Sequence, residues 1–392
     1  MLTPEYSARL ADDIYLIKNP GTRELFLETY QNDFLVNEVK EINNDKRSAK
    51  IVGKTGALVF LKSEHTMGVA AYGINNFKGH AIVVLKGTAS GYDALTDLNA
   101  GLKSFYTGGA VHQGFYYTFS SFLPQLTKFA DNLPTEVHSI HCIGHSLGGA
   151  LATLAADWLA SRTGKTAKLY TFGSPRVGLD FFATACRKRL REENIFRTYH
   201  QHDPVPMVPT WPFIHVPDGG IGDFQIPSPN SMNPIQHHKM GNYVSSVAPN
   251  GTSLDWDTIR KYRPKSEMRK SIEAWLKSDS ILSLSLNTAR MASEALVWVL
   301  KKVGQLSGIA LVITGGTAFT LLDRLAIFMH EAYQFSKEVS FWILRLIKRL
   351  AQLIGIKIKN DFNMTVAFIR AIFLRVHRAV SDLVMRAGRL ID

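Results

Sequence analysis

The sequence is poor in cysteine: Cys142 and Cys186 are the only two in 392 residues. That excludes a disulfide framework, and Cys142, set in an apolar run, reads as a buried side chain. Met1–Lys18 lacks the basic start and apolar stretch of a secretory leader. No signal peptide is therefore expected: the protein is made in the cytoplasm, and any export uses a signal-independent route. No DNA- or RNA-binding motif is visible, so no nucleic-acid partner is expected. The histidines His200, His202, His237 and His238 lack recognisable zinc-ligand spacing, and neither metal nor cofactor is expected.

What is present is enough apolar material for a sizeable core, 46% hydrophobic residues, and a net charge of +12. The length suits one large domain with an appendage, or two domains. The charge is uneven. Arg290–Asp392 holds 15 Lys/Arg against 7 Asp/Glu, so this last quarter carries +8 and the rest only +4. Basic residues set among long apolar ones suit an anionic lipid surface better than nucleic acid.

The chain is organised around Ile140–Leu159. A β-rich run, Val137–Ile143, passes directly into Gly144-His145-Ser146-Leu147-Gly148 and then an Ala/Leu-rich helix. G-x-S-x-G alone is a weak pattern and can be a chance turn. Between a strand and a helix it is a nucleophile elbow, with Ser146 raised at a strand's carboxyl end. The helix N-terminus then faces the spot where negative charge develops in acyl transfer.

The flanking chain alternates strand and helix. Pro4 starts a helix, Arg47–Thr55 reads as a polar connection, and Ala57–Leu61 and Met67–Ile74 read as short strands. Ile82-Val83-Val84-Leu85 is a continuous apolar run, as in a sheet buried on both faces. It ends at Lys86-Gly87-Thr88, where Thr88 could supply an amide to an oxyanion or simply turn the chain; the amide after the nucleophile, Leu147, is the other donor. Ala89–Leu102 could cover the site, with Gly91 and Gly101 as hinges. Val111-His112-Gln113-Gly114-Phe115 opens a helix running to about Asn132, followed by strands at Lys168–Phe172 and Ile195–Tyr199 around a helix at Asp180–Glu193. A mostly parallel sheet covered on both sides is predicted. Asp203 follows the last of these strands, at the edge where such sheets carry ligand-facing residues, though it could also cap the turn before Pro204. His237 and His238 lie downstream in a segment that could be a solvated loop, and the order Ser146, Asp203, His238 is that of α/β-hydrolases.

Together, Val84–Thr88, Val111–Phe115, Gly144–Ala150, Thr171–Gly178 and Phe196–Pro206 resemble the class 3 lipases, the fungal-lipase-like branch of the α/β-hydrolases. His238, with Met240 and Tyr243 behind it, is similar to that family's terminal histidine segment, and this spacing selects it over His237. The resemblance covers roughly Lys50–Val247. It implies an α/β-hydrolase fold, Ser146 as nucleophile, Asp203 as orienting acid, His238 as base, Thr88 and Leu147 as oxyanion hole, lipid esters as substrates and no metal. Lys86 stands where the family more often has arginine, and the proline- and glycine-rich Trp211–Gln236 leaves the pocket's shape open.

The domain division expected is 1–250 hydrolase, 251–280 charged helical linker broken near Pro264, and 281–392 helical, basic and amphipathic. Val303–Leu322 is 20 residues without a charge, a length that could just span a bilayer, but it is interrupted by Gly304, Gly308, Gly315 and Gly316. Ile343, Leu346, Ile347, Leu350 and Ile354 form one apolar stripe, with Arg345, Lys348 and Arg349 opposite; Ile372, Val376, Val380 and Leu383 form another. This region is either a packed accessory domain or a membrane-surface module. A lipase with such a tail is similar to bacterial phospholipase effectors delivered by contact-dependent secretion, which implies a delivery or neutralising protein partner. The expected activity is thus phospholipase A-type ester hydrolysis; the alternatives are a triacylglycerol lipase and a protein that disrupts membranes through its C-terminal helices.

Overall fold

The computed structural model of the chain describes residues 1–35, 48–55, 63–87, 101–209, 212–231, 233–262, 267–280, 285–307, 321–358 and 363–388. Its strands are β1 (Ser48–Thr55), β2 (Ser63–Tyr72), β3 (His80–Leu85), β4 (Leu102–Ser104), β5 (Ala110–His112), β6 (Ser139–His145), β7 (Thr166–Phe172), β8 (Ile195–His200) and β9 (Asp223–Ile226). Seven of them form one sheet in the order β1-β2-β3-β6-β7-β8-β9, and β4 and β5 make a separate hairpin. The β1–β2 and β2–β3 pairs are antiparallel and every later pair is parallel, so the mostly parallel sheet expected is observed. This is a mostly parallel α/β sheet covered by helices on both faces.

Four strands escape the sequence reading: the hairpin strands β4 and β5, the latter where Val111–Phe115 is expected to open a helix, and two in the main sheet. Ser48–Thr55, expected as a polar connection, is an edge strand with a register shift at Ile51/Val52. Its two lysines and its glycine hide a pattern that needs only one paired side. β9 lies inside the stretch read as loop; it is four residues long and extends the sheet by pairing with β8.

The strand period of two sorts the core. Ala81, Val83, Leu85, Ile140 and Cys142 face one side; Ile82, Val84 and Ile143 face the other. On the first side lie the helices Gln113–Asp131, Leu147–Thr163 and Asp180–Leu190. Leu147–Thr163 is buried around its whole circumference as far as Leu159, consistent with its Ala/Leu-rich sequence. The second side is covered by helices Pro4–Asp13, Pro20–Tyr30, Met240–Val247 and Trp256–Arg260. Thr3 caps the first of these by accepting the Tyr6 amide at 3.2 Å. The start of the chain is pinned: Leu2 N donates to Tyr170 Oη over 3.1 Å, and Leu2 O accepts Trp256 Nε1 over 2.8 Å.

The C-terminal helices Leu286–Ser307, Leu321–Tyr333, Lys337–Leu353 and Val366–Gly388 extend the first side. Leu296, Val299, Leu325, Ile343, Leu346, Ile372 and Val380 belong to the same contiguous core as the sheet's first face. The stripe Ile343, Leu346, Ile347 and Leu350 and, in the last helix, Ile372, Val376 and Val380 therefore point inward; the side chain of Leu383 lies outside the description. Arg349, expected on the outer face with Arg345 and Lys348, is instead buried: it donates to Ser280 O at 2.8 Å and lies over the Trp275 ring. Its long stem packs while its guanidinium finds a carbonyl. Among the described residues no helix is long and apolar enough to cross a membrane. Most of the uncharged run lies outside the described residues; its first five, 303–307, end the helix Leu286–Ser307.

Candidate active site

β6 ends in a turn that only a glycine-flanked serine can make. A Cβ on Gly144 would lie 2.2 Å from Gly148 O, and one on Gly148 would lie 2.1 Å from Leu85 O. Strand, turn and helix thus touch backbone to backbone. Ser146 is forced to φ 58°, ψ −132°, a conformation that costs a non-glycine residue about 1–3 kcal/mol. It is held there by its amide, which donates to Phe172 O at 3.0 Å. The helix Leu147–Thr163 opens at the next residue, so the partial positive charge of its N-terminus falls beside Ser146.

Asp203 follows β8 in a tight turn, its Oδ1 accepting the Val205 amide at 2.9 Å. Its Oδ2 accepts two protons, from His238 Nδ1 at 2.8 Å and Tyr243 Oη at 2.7 Å. An ionised carboxylate only accepts, so the His238 proton sits on Nδ1 and Nε2 keeps its lone pair. Both side chains are fully buried. His238 closes the short helix Pro234–His238, capped by Asn233, and Tyr243 rides on the next helix, Met240–Val247. Tyr243 Oη also accepts the His200 amide at 3.1 Å. Burial, then the Asp203 charge, raises its pKa far above the ordinary phenol, so it remains a donor. The ring of His238 lies 4.6 Å, centroid to centroid, from that of His145, the residue before the serine.

His237 is turned elsewhere: its Nε2 donates to Ser231 O at 2.9 Å and its carbonyl accepts His200 Nδ1 at 2.7 Å. Of the four histidines weighed as zinc ligands, His200, His237 and His238 each commit a ring nitrogen to an oxygen acceptor. No group of His, Cys, Asp and Glu among the described residues is arranged to hold a metal. Thr88 and the covering segment with Gly91 lie outside the described residues; Gly87 and Gly101 border them.

Several residues around the site were given no individual role by the sequence. Arg176, on the loop after β7, is buried and donates to Met207 O at 2.6 Å, Pro209 O at 3.2 Å and Ser293 Oγ at 3.0 Å. It ties the turn after Asp203 to the C-terminal helices. Arg290 adds a second tie, donating to Gln225 Oε1 at 2.8 Å. His112 accepts the Gly114 amide at 3.2 Å and caps the helix Gln113–Asp131. Complete burial, with His377 nearby, pushes its pKa down to about 3. Tyr15 and His145 meet on the second side of the sheet, Oη to Nδ1, at 2.9 Å. Nothing local could announce a contact between residues 130 positions apart.

Residues 82–213 match the family model described as "Lipase (class 3)". The resemblance drawn from the motifs holds over that stretch. The chain is 34% identical over 170 residues to "Secreted mono- and diacylglycerol lipase 1" of Fusarium solani, covering 42% of this chain and 48% of that protein. It is 30% identical over 237 residues to "Toxin TseL" of Vibrio cholerae, covering 55% of this chain and 34% of that protein. It is 31% identical over 135 residues to "Phospholipase A1-II 1" of Oryza sativa, covering 32% of this chain and 33% of that protein. The chain thus spans half or less of the length of these relatives.

Proposed function

We propose that this chain is a serine hydrolase of lipid carboxylic esters, with phospholipid as its substrate and phospholipase A-type cleavage as its reaction. The observation that carries the reading is Ser146, strained at the carboxyl end of β6 directly after His145, whose ring lies 4.6 Å from that of His238 in the buried Asp203–His238 pair. Ser146 Oγ attacks the acyl carbonyl as His238 Nε2 takes its proton. Asp203 holds the imidazole and offsets the charge it gains. The carbonyl oxygen, now anionic, meets the amides of Leu147 and Thr88. The lysolipid alcohol departs with the proton from His238, leaving an acyl-enzyme. Water then loses a proton to His238, attacks the acyl carbon and releases fatty acid and Ser146.

Phospholipid is favoured by the +8 charge of the last quarter and by similarity to a plant phospholipase A1. Mono- and diacylglycerols are the second reading, favoured by the 34% identity to the Fusarium lipase. Association with an anionic membrane surface is part of the proposal, supported by cations such as Arg375 and Arg378 on the outer side of the last helix. Similarity to a bacterial toxin supports an exported effector role, with a delivery or neutralising protein as partner. The test is a panel of phospholipids and glycerides assayed with the wild type beside Ser146→Ala. Ser146-dependent release of fatty acid from phospholipid vesicles supports the reading; release from glycerides alone moves it to the second. Fluorophosphonate labelling that persists in Ser146→Ala, or is absent from the wild type, overturns the nucleophile.

A further inference from the structure

Three hydrogen bonds run in series from one side of the site to the other. Gly87 N donates to Tyr15 Oη at 3.1 Å. Tyr15 Oη meets His145 Nδ1 at 2.9 Å. His145 Nε2 meets the backbone oxygen of His238 at 2.8 Å. Their directions follow from donor chemistry alone. A carbonyl oxygen only accepts, so the proton on that bond belongs to His145 Nε2. A neutral imidazole then has Nδ1 as acceptor, and Tyr15 must donate to it. The tyrosine oxygen is left to accept, which it does from Gly87. His145 is buried, and burial, followed by the nearby His238 and His200, drives its pKa far below the usual value. Protonating it would make Nδ1 a donor and require Tyr15 to turn its own hydrogen away.

The ends of the series matter. Gly87 follows Lys86 at the exit of β3 and crowds the nucleophile: a Cβ there would lie 3.1 Å from Ser146 Cβ and 2.7 Å from Tyr15 Oη. The other end is the main chain of the residue that holds Asp203. These two ends come from segments 151 positions apart in the chain. We propose that Tyr15 and His145 form a positioning relay, which fixes the backbone beside the nucleophile relative to the backbone of the base. Resting on the hydrolase reading above, it assigns the x of G-x-S-x-G a task distinct from packing. Both are positioning residues. They act through Gly87 and His238, where misplacement by about 1 Å costs roughly 10²-fold in rate.

The experiment uses the full chain, a soluble p-nitrophenyl short-chain ester and three variants. Tyr15→Phe removes the hydroxyl and keeps the ring. His145→Asn keeps an acceptor near Nδ1 and cannot reach His238 O. The third combines them. Each single variant is expected to lower kcat by roughly ten- to a hundredfold with KM unchanged within about twofold, because substrate contacts are untouched. The double variant is expected to lose no more than the worse single, since either break interrupts the same series. Nitrogen-15 shifts of the His145 ring in the wild type are expected to report the Nε2–H tautomer between pH 6 and 8. Full kcat in both single variants overturns the relay, as do additive losses in the double. An Nδ1–H tautomer overturns it whether or not any ester is cleaved. A wild type with the expected tautomer that cleaves no ester and takes no fluorophosphonate label overturns the hydrolase reading, and the relay's catalytic role with it.

Discussion

Tyr243 and His238 donate to the same oxygen, Asp203 Oδ2, at 2.7 and 2.8 Å. The carboxylate is thereby held in one rotamer by a residue that takes no part in proton transfer. Tyr243→Phe should leave Oδ2 with one donor fewer and the buried His200 amide without its acceptor. An expected loss of about 1–3 kcal/mol in unfolding free energy follows, read by urea titration. Turnover should fall roughly tenfold as the Asp203–His238 pair loosens. Unaltered stability and turnover would show that the phenol hydroxyl is dispensable.

Ser146→Ala and Ser146→Gly should both be inactive, with turnover down roughly 10⁴-fold or more, yet differ in stability. Alanine retains a Cβ at φ 58°, whereas glycine adopts that conformation freely. Ser146→Gly should therefore unfold at higher urea than Ser146→Ala, by about 1–3 kcal/mol. Equal midpoints would mean that the elbow stores no backbone strain.

Acid should destabilise the fold through its buried neutral histidines. His112 is lowered to about 3 and His200 to about 4, mainly by burial. For each, the unfolded chain binds more protons below the unfolded value near 6.5, so stability rises with pH there. This contribution is complete above about pH 6.5 and is lost as pH falls toward the folded value. The slope is about 1.4 kcal/mol per pH unit per histidine. His112→Asn keeps a capping acceptor for Gly114 N. Its stability should depend on pH less steeply than the wild type between pH 6 and 4, by about that amount. Parallel pH profiles for the two proteins would refute the assignment.

A chain ending at Lys277 should not behave as an independent enzyme. It would uncover apolar surface now packed against Leu296, Val299 and Ile343, and remove Ser293 from the buried Arg176. An unpartnered buried donor costs about 1–3 kcal/mol, and the exposed face favours aggregation. Esterase activity on a soluble substrate and solubility should be lost together. A soluble, fully active truncated chain would show that these contacts are not needed.

The centre of the fold was legible because its constraints are local. Gly144, Ser146 and Gly148 sit within five residues, and a buried strand and helix flank them without interruption. β1 and β9 were not legible: β1 carries two lysines and a glycine in its eight residues, and β9 is four residues set in a proline- and glycine-rich stretch. The apolar stripes of the last two helices could be read as stripes, but a stripe does not say what covers it. Here the cover is the shared core. Arg349 defeats the helical wheel because its guanidinium reaches Ser280 O, a partner 69 positions away. Tyr15 reads as one more residue at helical spacing; its importance lies in His145 and Gly87, which periodicity cannot see.

The seating of Leu2 against Tyr170 and Trp256 has a consequence in time. A nascent chain grows at about 5–20 residues per second, so roughly 10–50 seconds separate the synthesis of Leu2 from that of Trp256. Throughout that interval the first helix has no Trp256 to close over it, and Tyr15, carried just behind, waits for His238. Leu2 and the helix behind it are thus among the parts that settle late. A nascent chain that has reached Ser146 but not Trp256 holds the serine and lacks this closure, which delays assembly of the site until Trp256 has been made.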